Sequence, residues 1–463
     1  MAKQEITLTG LDGHEDHLVY DAANGDRIAN PTEQGNSLEE CARSLFPQEG
    51  ETTPRLRFQG FEGEWEKAKL SNYAIRITRK NSMLETTLPL TISSIEGLIE
   101  QTQFFNNIVA SDNMAGYYLL KKGEFAYNKS YSNGYPYGSV KRLDKYEMGA
   151  LSPLYIVFSI NDNIYSDYLV TFFETSLWHS EVAKRAAEGA RNHGLLNISA
   201  EDFLDIEIKY PPSLEEQKAI ASFFRRLDAQ MAIQQQRLER LKQMKSACLR
   251  SMFPQNGGGN LPLIRFKGFN GEWILIKFKD MAELRRGLTY SPSHIVSDGV
   301  RVLRSCNINE DSFVVSEDDV FVTPQCVNIP LAKDGDILIT AANGSPRLVG
   351  KHCVIRNTHA SPVVHGGFML LASSDEPNFL NASMGSDWFR DFQAIGISGG
   401  NGAIGNLDKT ELEEFSFYIP KEKAERDRIA SFFRSLDTKI SLQTQRIEKL
   451  KQMKAACLSK MIA

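Results

Sequence analysis

The sequence predicts an α+β chain: two globular modules in tandem, separated by two long coiled-coil helices, with an internal pseudo-two-fold, cyclic repeat. Three observations lead there. The chain has 463 residues, more than one compact core usually holds. Two sequence blocks recur at nearly constant offsets. Each repeat ends in a long run without Gly or Pro that carries apolar residues at coiled-coil spacing.

The repeat is explicit. Residues 56–65 read LRFQGFEGEW and residues 264–273 read IRFKGFNGEW, an offset of 208. Residues 220–252 (IASFFRRLDAQMAIQQQRLERLKQMKSACLRSM) return as residues 429–461 (IASFFRSLDTKISLQTQRIEKLKQMKAACLSKM), an offset of 209. Between these blocks, residues 74–200 and 282–405 share almost nothing. Two copies therefore keep a frame and differ in content. A fragment of a third copy precedes them: CARSLFPQ at 41–48 matches CLRSMFPQ at 248–255, as expected of a cyclic arrangement opened at a different point, with chance similarity as the alternative.

The long runs are rich in Gln, Arg, Leu, Lys and Ala, all strong helix formers. Phe224, Leu227, Met231, Leu238 and Leu241 mark a seam at alternating three- and four-residue steps. Phe433, Leu436, Ile440, Ile447 and Leu450 repeat it. Gln234 and Lys245 interrupt the first seam, and Gln443 and Lys454 interrupt the second at matching places. A polar layer inside a seam is a register device. The simplest partner for each stripe is the other helix; a plain dimerisation coiled coil is the alternative. The remaining helix surface is basic, which suits phosphate, an acidic partner or simple solvation.

The boundaries follow: an acidic N-terminal extension (1–53), a first module (54–212), a central helix (213–253), a Gly-rich linker (254–261), a second module (262–420) and a C-terminal helix (421–463). Each module opens on the GFxGEW block and closes on an alternating strand followed by Pro211 or Pro420. Ser199 with Asp202, and Asp408 with Glu411, have capping-box spacing. Net charge is −5, but residues 1–53 hold eleven acids and three bases, so the remainder is −5 − (−8) = +3. Local charge governs phosphate binding.

Candidate binding residues cluster in Gly- and Pro-broken stretches. In the first module these are Asn128, Lys129, Ser130, Tyr131, Asn133, Tyr135 and Arg142. In the second they are Arg285, Arg286, Tyr290, Ser291, Arg304, Asn307, Asn343, Ser345, Arg347 and Lys351. Asn can pair bidentately with adenine and Arg or Lys with guanine, whereas Tyr and Ser suit base edges and backbone. For any one of them an ordinary surface loop is the simpler explanation; the cluster is what points to nucleic acid.

Catalytic patterns do not survive inspection. GNGAIG at 400–405 matches GxGxxG, but the dinucleotide motif needs a preceding strand. Glu207-Ile-Lys209 resembles part of a nuclease site, but the second repeat lacks the pair. HEDH at 14–17 has no supporting ligand cluster, so no metal site is expected. Six scattered cysteines without a CxxC pair, no secretory signal and no membrane-length apolar run predict a cytoplasmic protein that does not contact membranes.

The GF(E/N)GEW block, the LNIS segment at 196–199, the acidic helix starts and the IASFFRxLD…LKQMKxACL helices resemble type I restriction–modification specificity subunits, over about residues 54–463. The resemblance implies a non-catalytic subunit with two target-recognition domains, each reading half of a bipartite double-stranded DNA site. It implies that the two helices pack antiparallel, set the gap and dock methyltransferase subunits, and through them restriction subunits. S-adenosylmethionine, ATP and Mg would then serve those partners rather than this chain. A stand-alone two-module DNA-binding regulator, a non-catalytic assembly scaffold and an enzyme with two catalytic modules are the competing functions. The last lacks any acid, nucleophile or metal cluster common to both modules.

Overall fold

The computed structural model describes residues 3–9, 15–21, 54, 56–104, 113–132, 134–186, 196–255, 259–358, 361–397 and 405–461. They form two compact units, Met1–Ala232 with Glu448–Ala463, and Ile233–Ile447. The division runs through both long helices, Leu214–Ser251 and Lys423–Met461, so each unit holds one module and a length of each helix.

In the first unit, the strand after the GFEGEW turn, Glu66–Lys69, pairs antiparallel with the closing strand Glu207–Tyr210. Pairing the first and last strands brings both ends of the module to the start of the helix. The turn itself needs glycine, because Gly60 and Gly63 have φ of +93° and +91°. Arg57 holds it: Nη1 donates to the Gly63 carbonyl at 2.6 Å, while Nε and Nη2 donate to the two carboxylate oxygens of Glu216, both at 2.7 Å. Glu216 lies in the first helical turn, is 1% exposed, and complements the positive end of the helix dipole. Ser213 Oγ accepts from the Glu216 amide, completing the cap.

Inside this closure lie two four-stranded sheets. One has the order Ser139–Arg142, Phe125–Asn128, Ile156–Ile160, Ala74–Arg76, all antiparallel. The other has the order Gly97–Glu100, Pro89–Ser93, Met148–Leu151, Tyr118–Lys121, with one parallel pair at its centre. Aromatic rings dominate the main core: Tyr127 stacks on Phe203 at 4.1 Å, and Trp178 and Phe158 pack around them. Phe224, Leu227 and Cys457 of the long helices belong to the same core. In the N-terminal extension, Lys3–Thr9 and Glu15–Asp21 pair antiparallel, and the second strand continues onto Leu56–Phe58, so part of a segment read from sequence only as an acidic arm extends a sheet.

The second unit repeats the plan. Ile274–Lys277 pairs with Ser416–Ile419. Arg265 donates to both oxygens of the buried Glu425 at 2.6 and 2.8 Å and to the Gly271 carbonyl at 2.6 Å. Its first sheet runs His352–Val354, Ile337–Thr340, Met369–Ser373, Glu283–Arg286, the same succession as in the first module. Its second sheet again holds one parallel pair, Val300–Leu303 with Val363–His365. The first sheets of two stretches with almost no sequence in common therefore share one strand order, whereas in the second sheets the parallel pair is central in one module and at an edge in the other.

Helix packing is resolved by side-chain contacts. In the second unit Gln443 Nε2 donates to Gln234 Oε1 at 2.8 Å and to the Gln234 carbonyl at 2.9 Å, and Lys245 pairs with Asp437 at 2.6 Å. As one partner number rises from 234 to 245 the other falls from 443 to 437, so the helices there are antiparallel. In the first unit Lys454 pairs with Asp228 at 2.6 Å. Phe224, Leu227, Gln234, Leu238, Phe433, Leu436 and Ile447 are buried, while Met231, Leu241, Ile440, Gln443 and Leu450 are half-buried. The stripe slides at the end of the first helix: Leu249 and Met252 enter the core of the second module with Phe253, and Cys248 is only partly covered. Packing against a module, not against a helix, decides the burial there.

Candidate nucleic-acid interface

The candidates chosen from sequence fall mainly on one structural position. Residues 129–138 join Phe125–Asn128 to Ser139–Arg142, the second and third strands of the first sheet. Residues 341–351 join Ile337–Thr340 to His352–Val354, the second and third strands of the equivalent sheet. Both hairpin loops begin with the same device. Asn128 Oδ1 accepts from the Ser130 amide at 3.0 Å, and Asn343 Oδ1 accepts from the Ser345 amide at 2.9 Å. These are Asx turns, in which the side chain takes the place of a backbone carbonyl. Both loops are also braced by the same neighbour: the Leu196 amide donates to the Lys129 carbonyl at 2.9 Å, and the Leu407 amide to the Ala341 carbonyl at 2.8 Å. Each brace precedes a short helix capped as its spacing predicts, by Ser199 on the Asp202 amide and by Asp408 on the Thr410 and Glu411 amides.

In the first loop Tyr131 is 54% exposed, and Ser130 and Tyr135 are half-exposed. Lys129 is partly covered and reaches the Ile198 carbonyl at 3.5 Å. Asn133 lies outside the described residues. Arg142 stands apart from the loop's free edge. Its Nη2 pairs with Asp167 at 2.6 Å, its Nε donates to Asp144 at 2.7 Å and its Nη1 to Ser166 Oγ at 2.9 Å. That guanidinium is engaged within the module. Sequence reasoning missed Ser94 and Ser139, whose hydroxyls lie 3.2 Å apart, with Ser94 Oγ also 3.5 Å from Ser132 Oγ. Nothing local links residues 38 and 45 positions apart; only the sheet does.

In the second loop Arg347 is exposed, and Ser345 and Lys351 are half-exposed. Asn343 Nδ2 donates to Ser305 Oγ at 3.0 Å, which joins the loop to the 304–307 turn. Arg286 projects into solvent 3.8 Å from Asp408, beside the same brace. Ser291 is exposed and Tyr290 half-buried. Three candidates face inward. Asn307 is 1% exposed, donates to the Val314 carbonyl and to Asp319 Oδ1, and accepts from the Arg304 amide. Arg285 donates to Asp336 and Ser373, with its Nε buried. Arg304 is half-buried, reaching the Asp318 carbonyl at 3.4 Å. Asn307 and Arg285 thereby satisfy the buried carboxylates of Asp319 and Asp336 in their own module.

Among the described residues no group of three or more His, Cys, Asp or Glu is placed to hold a metal ion, and no helix is long and apolar enough to cross a membrane.

A duplicated helical frame thus carries two unlike modules, each with a polar hairpin braced in the same way. A model of the type I restriction modification DNA specificity domain matches residues 64–243. The fold is similar to that of a type I restriction–modification S subunit from M. genitalium, with 14% identity over 89% of this chain and 99% of that one, and a TM-score of 0.54. It is also similar to a chain from a study of complex assembly and conformational transition in the type I R-M system, with 14% identity, 86% and 97% coverage and a TM-score of 0.50. Residues 64–243 thus match the type I DNA specificity domain, and the fold is that of solved type I S subunits.

Proposed function

We propose that this chain reads a bipartite double-stranded DNA target. Each module contacts one half, and the two long antiparallel helices act as spacers that set the gap and dock methyltransferase subunits. Restriction subunits join through those partners. S-adenosylmethionine, ATP and Mg serve the partner subunits, and the assembly works in the cytoplasm. One observation carries the reading: the polar hairpins 129–138 and 341–351 occupy the same place in two modules of unrelated sequence, each opened by an Asn–Ser turn. A shared scaffold that presents different side chains at one loop is what reading two different half-sites requires. The base-contacting candidates are therefore Ser130, Tyr131 and Tyr135 in one module, and Ser345, Arg347 and Lys351 in the other. Arg286, Tyr290 and Ser291 lie on adjoining strands and turns.

The test is co-expression with a type I methyltransferase subunit from the same genome, followed by sequencing of methylated adenines. A split motif, two short specified halves around a constant unspecified gap, is expected. Methylation at one continuous motif by an assembled complex would contradict the proposal and favour a role for the duplication other than two-site reading.

A further inference from the structure

The two lysines that interrupt the helix seam do the same thing in both units. Lys454 lies between Asp228 of the other long helix, at 2.6 Å, and Glu174 of the first module, at 2.8 Å. Lys245 lies between Asp437 of the other long helix, at 2.6 Å, and Asp311 of the second module, at 2.7 Å. The lysine and the helix aspartate belong to the repeated frame, 209 residues apart in each case. Glu174 and Asp311 belong to the unlike modules and sit in unrelated local sequence, FFETS against NEDSF. Glu174 follows the helix Ser166–Phe172, and Asp311 lies in the turn between Ile308–Asn309 and Ser312–Phe313.

The lysine side chains are only 15% and 13% exposed, whereas the carboxylates lie nearer the rim, at 28–47% for one set and 32–60% for the other. Each module also adds a cation to the same place. Lys141 lines the cavity of about 940 Å³ that contains Glu174, Asp228 and Lys454. Arg356 lines the cavity of about 390 Å³ that contains Asp311 and Asp437. Each module thus adds one acid and one base beside the Lys–Asp pair of the frame. A leucine at the seam position would pack better; a charge there adds little net stability and specifies geometry instead.

We infer that the repeated Lys–Asp pair is a seat for unlike modules: Lys454 with Asp228, and Lys245 with Asp437, orient each module on the helices by capturing one module carboxylate, Glu174 or Asp311. These are positioning residues, acting through the module they hold. The inference rests on the proposed reading of a bipartite site, because the orientation of a module then sets the distance between half-sites.

The experiment uses the assembled complex with the methyltransferase, and reads gap length from methylated adenines. The variants are Glu174→Gln, Asp311→Asn, Lys454→Met and Lys454→Arg. Glu174→Gln and Asp311→Asn remove one charge each at partly exposed positions and leave the cores intact. In Glu174→Gln, Asp311→Asn and Lys454→Met, methylation at motifs whose gap is one base longer or shorter should rise about tenfold relative to the correct gap, a coupling of ordinary size. The bases of both half-sites should stay the same, and Lys454→Arg should restore gap fidelity. A merely structural role would lower methylation evenly at an unchanged gap; that result, or an unchanged pattern in all variants, would overturn the inference. A wild-type complex that methylates no split motif would instead overturn the proposed function.

Discussion

The two modules are alike in the strand order of the sheet that carries the hairpin and unlike in surface, while the frame beneath them is alike in both. The Arg57–Glu216 and Arg265–Glu425 clamps differ by no more than 0.1 Å in their paired distances, and both tie a Gly turn to a helix start. Above them, the first module presents a Tyr-rich hairpin and the second an Arg- and Lys-bearing one. Geometry common to both halves is therefore concentrated in ion pairs and closing strands, and chemical difference in the loops. Such a division lets the loop surface vary without disturbing the core.

The largest expected effect tests the sameness of the frames. Glu216→Ala and Glu425→Ala each leave an arginine without its buried partner, and each should cost about 3–5 kcal/mol, in its own unit only. Denaturant unfolding followed by hydrogen exchange in each unit checks this; unequal losses would mean that the clamps are not equivalent. A pH effect should distinguish the units. His365 is fully buried, and burial pushes its pKa down to about 4. Its folded pKa thus lies below the unfolded value of about 6.5, so the unfolded chain takes up the proton first. Stability of the second unit should fall as pH drops from about 6.5 through about 4, by up to about 3 kcal/mol. His365→Gln should flatten that dependence in a pH series of melts; an unaltered slope would assign it to other groups.

A smaller change concerns the polar layer of the helix pair. Gln234 is wholly buried and its Nε2 has no partner, although its Oε1 accepts from Gln443. Gln234→Leu should raise stability by about 1 kcal/mol while loosening register, because an apolar seam tolerates sliding. Calorimetry with cross-linking at flanking cysteine pairs would separate the two effects. The smallest structural effect is expected at the hairpins. Tyr131→Ala and Arg347→Ala should change stability by no more than about 0.5 kcal/mol, yet weaken DNA binding.

Much of this was legible in the sequence because it was written twice. The seam, its Gln and Lys interruptions, the GFxGEW turns and the capping boxes all repeat with the frame, and helical spacing places them. The candidate loops were legible as composition only. Residue type does not tell whether an arginine or asparagine faces water or a carboxylate of its own module, so Asn307, Arg285 and Arg142 were grouped with exposed neighbours. The partners that decide the matter, Asp319, Asp336 and Asp167, are 12, 51 and 25 residues away. The ion pairs of Lys245 and Lys454 were equally hidden, since their module partners lie 66 and 280 residues off. Equivalence of the two hairpins could not emerge from comparing sequences that share little more than an Asn-x-Ser step; it required the strand order.

The most direct test of two unlike readers on one frame is the methylation motif of hairpin variants in the assembled complex. Tyr131→Ala should relax base preference in one half of the motif, and Arg347→Ala in the other half, each leaving the opposite half and the gap as in the wild type. Relaxation of both halves by either substitution, or of the same half by both, would contradict the account.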